Sequence, residues 1–249
     1  MALMTHRKSA PARPGRAPLA RTQTRYRRVY VWQPAIRIFH WVAAACVTVL
    51  FVTGFMITHP MVNAGTGGAL SMGAIREVHF AAGYVFAVAL VWRVFWFIRG
   101  NSFARSGFPC FWRGSWWRAL IGQVREYLTY EFGAPPLGHN ALAGLSYVAA
   151  LFGLGAFQVV SGLALLGQSR PGGALDVLFG WTVPLLGGSF RTHMWHDLAA
   201  WGLCVFVIAH VYIVLLDAHQ YRNGLIGAMF SGNKFQRLDD EEVEDRDDR

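Results

Sequence analysis

From Met194 to Leu216 the chain is apolar but for Asp197 and two histidines, His196 and His210. A run of that length can cross a hydrocarbon core, and a single segment in hydrocarbon satisfies its backbone polar groups only as a helix. The fourteen residues between the two histidines correspond to about 21 Å of helix, and about 3.6 residues per turn returns the second imidazole to within about 40° of the first. One helix face therefore carries a nitrogen ligand near each side of the membrane.

Three more stretches are long and apolar enough to cross, giving spans at about 35–58, 76–98, 140–166 and 193–217. With 54% hydrophobic and 15% charged residues among 249, the composition is that of an integral membrane protein. The fold expected is all-α, a four-helix transmembrane bundle over 35–217. It is flanked by a basic N-terminal tail, 1–34, and a C-terminal tail, 218–249.

The net charge of +9 is no nucleic-acid signal, because residues 1–37 alone hold nine Lys or Arg and no acid. The Pro-Ala-Arg-Pro-Gly-Arg run of this tail cannot build a core and reads as disordered. The first apolar run begins too late, and is too long, for a cleavable signal peptide. Lys and Arg number nine over 1–37, five over 99–139 and five over 218–249, against none over 59–75. The positive-inside rule then places both termini in the cytoplasm.

Phe111 to Phe132 alternates Trp116, Trp117, Leu120 and Leu128 with Arg113, Arg118 and Arg125, the pattern of an amphipathic helix on the membrane surface; the alternative is a docking site for a partner. Ala174 to Leu186, broken by Pro184 and glycines, reads as an interfacial segment. Asp239 to Arg249 carries eight acids and reads as a solvated end. Cys46, Cys110 and Cys204 show no metal-ligand spacing and read as packing residues.

Of nine histidines, four fall inside spans, where ionisable groups are costly and mark function more often than packing. With a cytoplasmic N-terminus they sort by depth into an outer pair, His79 and His196, and an inner pair, His40 and His210. Two imidazoles on facing helices can clamp a haem between them and leave no open position for oxygen chemistry, which suits electron transfer. Zinc or copper would need three or four ligands converging on one point. A proton relay finds no accompanying membrane carboxylate, since Asp197 and Asp217 sit at the ends of span four.

Gly54 lies fourteen residues beyond His40 and Gly83 one turn beyond His79, so either could let a macrocycle approach the backbone; packing alone is the other reading. Arg93, fourteen residues after His79, faces the inner pair and could meet haem propionates, or it snorkels. Arg76 could do the same at the outer pair. His59 and His193 sit at the outer boundary and His139 and His219 at the inner; His193, one turn before His196, could tune the outer haem.

Arg37-Ile-Phe-His-Trp41 followed by Val52-Thr-Gly54 resembles the first-span signature of the b-type cytochrome subunit of membrane-bound nickel-iron hydrogenases. The likeness continues through Ile75-Arg-Glu-Val-His79-Phe, Gly83, Gly138-His-Asn140, Trp195-His-Asp-Leu, Phe206-Val-Ile-Ala-His-Val-Tyr212 and Asn233-Lys-Phe235, about residues 28–237. The paired histidines of span four are shared with cytochrome subunits of formate dehydrogenases and thiosulfate reductases; the first-span signature together with Gly138-His-Asn140 narrows the likeness toward hydrogenases.

The resemblance implies two b haems ligated by His79/His196 and His40/His210. It also implies a multi-pass protein of the inner membrane, set in lipid, with the hydrogenase large and small subunits on its periplasmic face. Electrons would pass from the iron-sulfur small subunit to a quinone near the cytoplasmic side, with His139 and Asn140 as quinone contacts. The chain would not split hydrogen itself, and an oligomer of the whole complex is compatible with this. A cytochrome of another respiratory complex is the rival within the class, and a histidine-bearing metal transporter the rival outside it.

Overall fold

The computed structural model describes residues 26–59, 72–106, 108–133 and 137–238. By contact the chain divides into residues 27–236, which contain everything discussed below, and the terminal segments 1–26 and 237–249. Of the latter only Tyr26, 237 and 238 are described, the first two as strand ends.

Four helices are long and apolar enough to cross a membrane: Pro34–Thr58, Met72–Arg99, Ala141–Gly167 and Ser189–Tyr221. The four apolar runs of the sequence become these helices, the first and third within one residue at each end and the second starting four residues earlier. The fourth runs furthest past its apolar core, to Ser189 at one end and Tyr221 at the other, since polar side chains at the membrane surface do not stop a helix. Pro34 opens the first span after an extended Gln33, the position where a missing N–H costs nothing. The third span contains a π-helical stretch, Val148–Gly155, which periodicity could not reveal. Its closing Gly155 lets Phe86 of the second span come close, because a Cβ there would sit 3.4 Å from Phe86 Cζ.

The first span packs most extensively on the second, and the third on the fourth, so the bundle is two helical hairpins; the first and fourth spans meet only sparsely. Val88, Val91 and Val205 are among many apolar side chains that stay exposed on the outside of the spans, the surface a lipid solvent requires.

The surface helix expected over 111–132 is present as Gly114–Thr129. Its Tyr127 hydroxyl donates to both oxygens of Asp217 on the fourth span, at 3.0 and 3.1 Å, and burial followed by the Asp217 charge raises the Tyr127 pKa. The 174–186 segment forms two short helices, Ala174–Phe179 and Thr182–Leu185.

Residues 26–33, assigned from sequence to a disordered tail, are ordered. Tyr26–Tyr30 pairs with Asn233–Arg237 in a two-stranded sheet, and Val31 and Trp32 are buried with Ile36, Ala104 and Ala228 in a small core. Arg27 bonds Gln236 while Val31 bonds Gly232, so the strands run antiparallel. The Arg- and Pro-rich composition of 1–34 masks Val29, Val31 and Trp32, which supply apolar anchors. The remainder of both tails, 1–25 and 239–249, lies outside the described residues.

The signature around His40 has a structural half. Arg37 and Trp41, one turn apart, donate to the carbonyls of Phe230 and Met229, the latter at 3.1 Å. These are orphan acceptors at the end of the short helix Leu225–Ser231, so the motif pins the C-terminal segment beside His40.

Candidate functional site

His40 on the first span and His210 on the fourth face each other with ring centroids 6.4 Å apart and planes inclined by 52°. An imidazole–metal bond of about 2.0–2.1 Å and about 1.1 Å from nitrogen to ring centre put two imidazoles on opposite sides of one iron about 6.3 Å apart. The observed separation fits a single metal between them. Phe206, one turn earlier, stacks on His210 at 5.7 Å, and Trp41 meets His40 edge-on at 5.0 Å. His40 Nδ1 is buried without a hydrogen-bond partner.

His79 and His196 line one cavity of about 760 Å³ between the hairpins, within the size range of cofactor sites. Gly54, Gly83 and Arg76 line it as well, with His193 and Asp197 close to His196. Thus the residues that spacing assigned to the outer site share one cavity.

His79 and His196 are each backed by a hydroxyl from the other helix of the same hairpin. Thr53 Oγ1 lies 2.8 Å from His79 Nδ1 and donates to Val49 O at 2.7 Å. Ser161 Oγ lies 2.8 Å from His196 Nδ1 and donates to Phe157 O at 2.7 Å. A carbonyl can only accept and each hydroxyl has one proton, so both contacts are satisfied when Nδ1 carries the ring proton. Nε2 is then left with the lone pair a metal needs. The glycine after each hydroxyl gives the ring room: a Cβ at Gly54 would sit 3.4 Å from His79 Cε1, and one at Gly162 3.2 Å from His196 Cε1. Sequence reasoning missed Thr53, Ser161 and Gly162. The repeat of Val52-Thr-Gly54 as Val160-Ser-Gly162 was the available signal.

At the His210 end, Arg93 is 2% exposed, donates to Ala104 O at 2.9 Å and lies 5.1 Å from the Tyr147 ring centre. Its Nη1 and the Tyr147 hydroxyl are buried without a hydrogen bond of ordinary geometry, an arrangement a carboxylate would complete. His139 packs between Trp32, at 4.9 Å, and Tyr147, at 5.8 Å. Burial, then the charges of Lys234 and Arg93, bring its pKa down to about 4. Lys234 is 3% exposed, and its burial, opposed by Asp217, lowers it to about 8. Asn140 Oδ1 caps the third span by accepting from Ala143 N at 2.7 Å. Neither His139 nor Asn140 lines the smaller cavity at this end, about 250 Å³ between Tyr127, Tyr130 and Tyr212. His59 and His193 bond their own helices through the carbonyls of Phe55 and Ser189. No cluster of three or more metal-ligating side chains occurs among the described residues.

The family model for prokaryotic cytochrome b561 matches residues 31–232, nearly the whole bundle and its clasp. The chain belongs to that family. It is therefore a multi-pass membrane protein and a b-type cytochrome, for which the prosthetic group is haem b. Its relatives include a protein of Azotobacter vinelandii, 42% identical over 213 residues, 82% of this chain and 87% of the relative. One from Escherichia coli K12 is 34% identical over 229 residues, 86% and 94% respectively. A third, from Cupriavidus necator, is 36% identical over 210 residues, 82% and 85%. The first and third are named probable Ni/Fe-hydrogenase B-type cytochrome subunit, and the second a probable Ni/Fe-hydrogenase 1 B-type cytochrome subunit.

Proposed function

We propose that this cytochrome anchors a nickel-iron hydrogenase to the inner membrane and connects it to quinone through two bis-histidine haems. The observation that carries the reading is the arrangement of four histidines as two facing pairs on a shared fourth span, one at single-metal separation and one across a cavity of cofactor size. When bound, the haems supply one-electron carriers at two depths, dividing a transfer across the bilayer into shorter ones.

The chain's own residues hold and orient these groups. His79 and His196 would ligate one haem in the cavity that Gly54 and Gly83 also line, with Arg76, in the same lining, available to its propionates. His40 and His210 ligate the other, with Arg93 at its propionates. The His196 end faces the hydrogenase small and large subunits on the periplasmic side, and both termini are cytoplasmic. Quinone binds toward the His210 end, with His139 and Asn140 as polar neighbours. The hydrogenase assignment draws on the names of the relatives.

The test is purification of the complex from its native membrane under mild detergent. Nickel-containing subunits should accompany the chain, and hydrogen should reduce its b haem in their presence. A molybdenum or tungsten subunit in their place would assign the chain to a different respiratory complex, and a haem-free chain that moves metal ions would overturn the reading altogether.

A further inference from the structure

The two outer ligands are held by the same device, and no hydroxyl among the described residues does the same for the inner pair. On each hairpin a hydroxyl-glycine pair of one span meets the histidine of the other: Thr53-Gly54 meets His79, and Ser161-Gly162 meets His196. Each hydroxyl sits at 2.7 Å from the carbonyl four residues back and 2.8 Å from Nδ1. Ser161 is fully buried and Thr53 is 8% exposed, so exchange of these bonds for water is disfavoured. By contrast, His40 Nδ1 is buried with no acceptor. His210 stacks on Phe206, a ring that offers no conventional acceptor.

We infer that Thr53 and Ser161 are positioning residues that set the electron-donor strength of His79 and His196 and so lower the reduction potential of the metal centre those two histidines hold. The inference rests on the proposed haem ligation. An imidazole that donates its Nδ1–H to an acceptor is a more basic ligand through Nε2. A more basic ligand favours the ferric over the ferrous ion, because the higher charge gains more from it. Two such ligands act on the same iron, and their effects add in one direction. The inner pair, without hydroxyl acceptors, receives no such push from this source. This device therefore biases the outer centre toward giving up its electron.

Gly162 is part of the device in its own hairpin: a Cβ there would sit 3.2 Å from His196 Cε1, closer than ordinary contact, so the ring reaches the Ser161 hydroxyl because the next residue has no side chain. At Gly54 the corresponding distance to His79 Cε1 is 3.4 Å, the near edge of ordinary contact.

The test uses the full, haem-loaded protein in three forms for each site: wild type, the variant without an acceptor (Thr53→Val or Ser161→Ala), and the variant that keeps one (Thr53→Ser or Ser161→Thr). Haem content is measured first, then the midpoints by optical redox titration, with low-temperature EPR of the oxidised low-spin signals. The expected result is that Thr53→Val and Ser161→Ala each raise one midpoint, the same one, while the other stays. The hydroxyl-preserving variants should remain near wild type. A tenfold loss of ferric preference reads as about 59 mV for one electron.

If a variant without an acceptor sheds one haem, its hydroxyl-preserving counterpart should retain it. Loss in both, or retention in both with neither midpoint moved, overturns the inference while leaving the haem assignment intact. A wild-type protein without haem at His79 and His196 overturns the assignment on which the inference stands.

Discussion

Gly162 and Gly54 occupy equivalent places against His196 and His79, yet alanine at the two should act in opposite directions. A methyl at Gly162 would sit 3.2 Å from His196 Cε1, closer than ordinary contact, whereas at Gly54 it would sit 3.4 Å from His79 Cε1, at the near edge of the ordinary range. His196 has little freedom to yield. Ser161 holds its Nδ1 at 2.8 Å, and Gln158 Nε2 holds its backbone carbonyl at 2.9 Å.

Overpacking of this kind costs about 1–3 kcal/mol. Replacing a mid-helix glycine by alanine returns about 0.5–1 kcal/mol. Gly162→Ala should therefore destabilise by a net of up to about 2.5 kcal/mol, up to about 70-fold in population. Gly54→Ala, with the helix gain and little contact cost, should be neutral or slightly stabilising. The assay is thermal loss of the haem absorption band in detergent, alongside the rate of haem transfer to an added apoprotein acceptor. Gly162→Ala should melt lower and lose haem faster, and Gly54→Ala should match or exceed wild type. Equal shifts in the same direction, or a larger loss at Gly54, would refute this account of the close approach.

His210→Ala should remove the haem shared with His40 and retain the other, since His196 lies fourteen residues away on the same helix; the reduced absorbance per chain should fall by about half. Trp41→Phe removes the donor to Met229 O at a cost of about 0.5–1.5 kcal/mol, and should speed proteolysis or hydrogen exchange around the Leu225–Ser231 helix without removing the spans. His139, whose pKa falls from 6.5 to about 4 in the fold, binds fewer protons in the native than in the unfolded state between those values. Its contribution is full above pH 6.5 and is lost as pH falls toward 4. A His139→Leu variant should show a shallower fall in melting temperature across that window, and an unchanged slope would contradict the burial.

The spans were readable because a bilayer allows one solution for a long apolar segment, and His196 and His210 because fourteen residues nearly complete four turns. Gly54, Gly83 and Arg76 followed from the same arithmetic and share the cavity with His79 and His196. Thr53 and Ser161 were hidden for a different reason. A serine or threonine in a membrane helix commonly bonds its own backbone, and only the packing of one span on its neighbour shows that the oxygen also serves an imidazole. Arg37 and Trp41 were visible as a motif but not as a clasp, since their acceptors are backbone carbonyls 188 and 193 positions away that have no side-chain signature. The strand over Tyr26–Tyr30 was lost for a related reason: its partner lies at the opposite end of the chain, and two short strands carry too little periodicity to announce a pairing. The π-helical stretch within the third span ends at Gly155, where Phe86 of the second span comes close, a tertiary contact that residue spacing does not announce.

The central claim is that four histidines form two separate haem sites, and haem stoichiometry tests it most directly. The purified chain, quantified by total amino-acid analysis and by pyridine haemochrome, should hold two b haems, with two low-spin ferric signals by EPR. One haem per chain in a preparation whose His40→Ala and His79→Ala variants both lose that same haem would contradict the two-site arrangement.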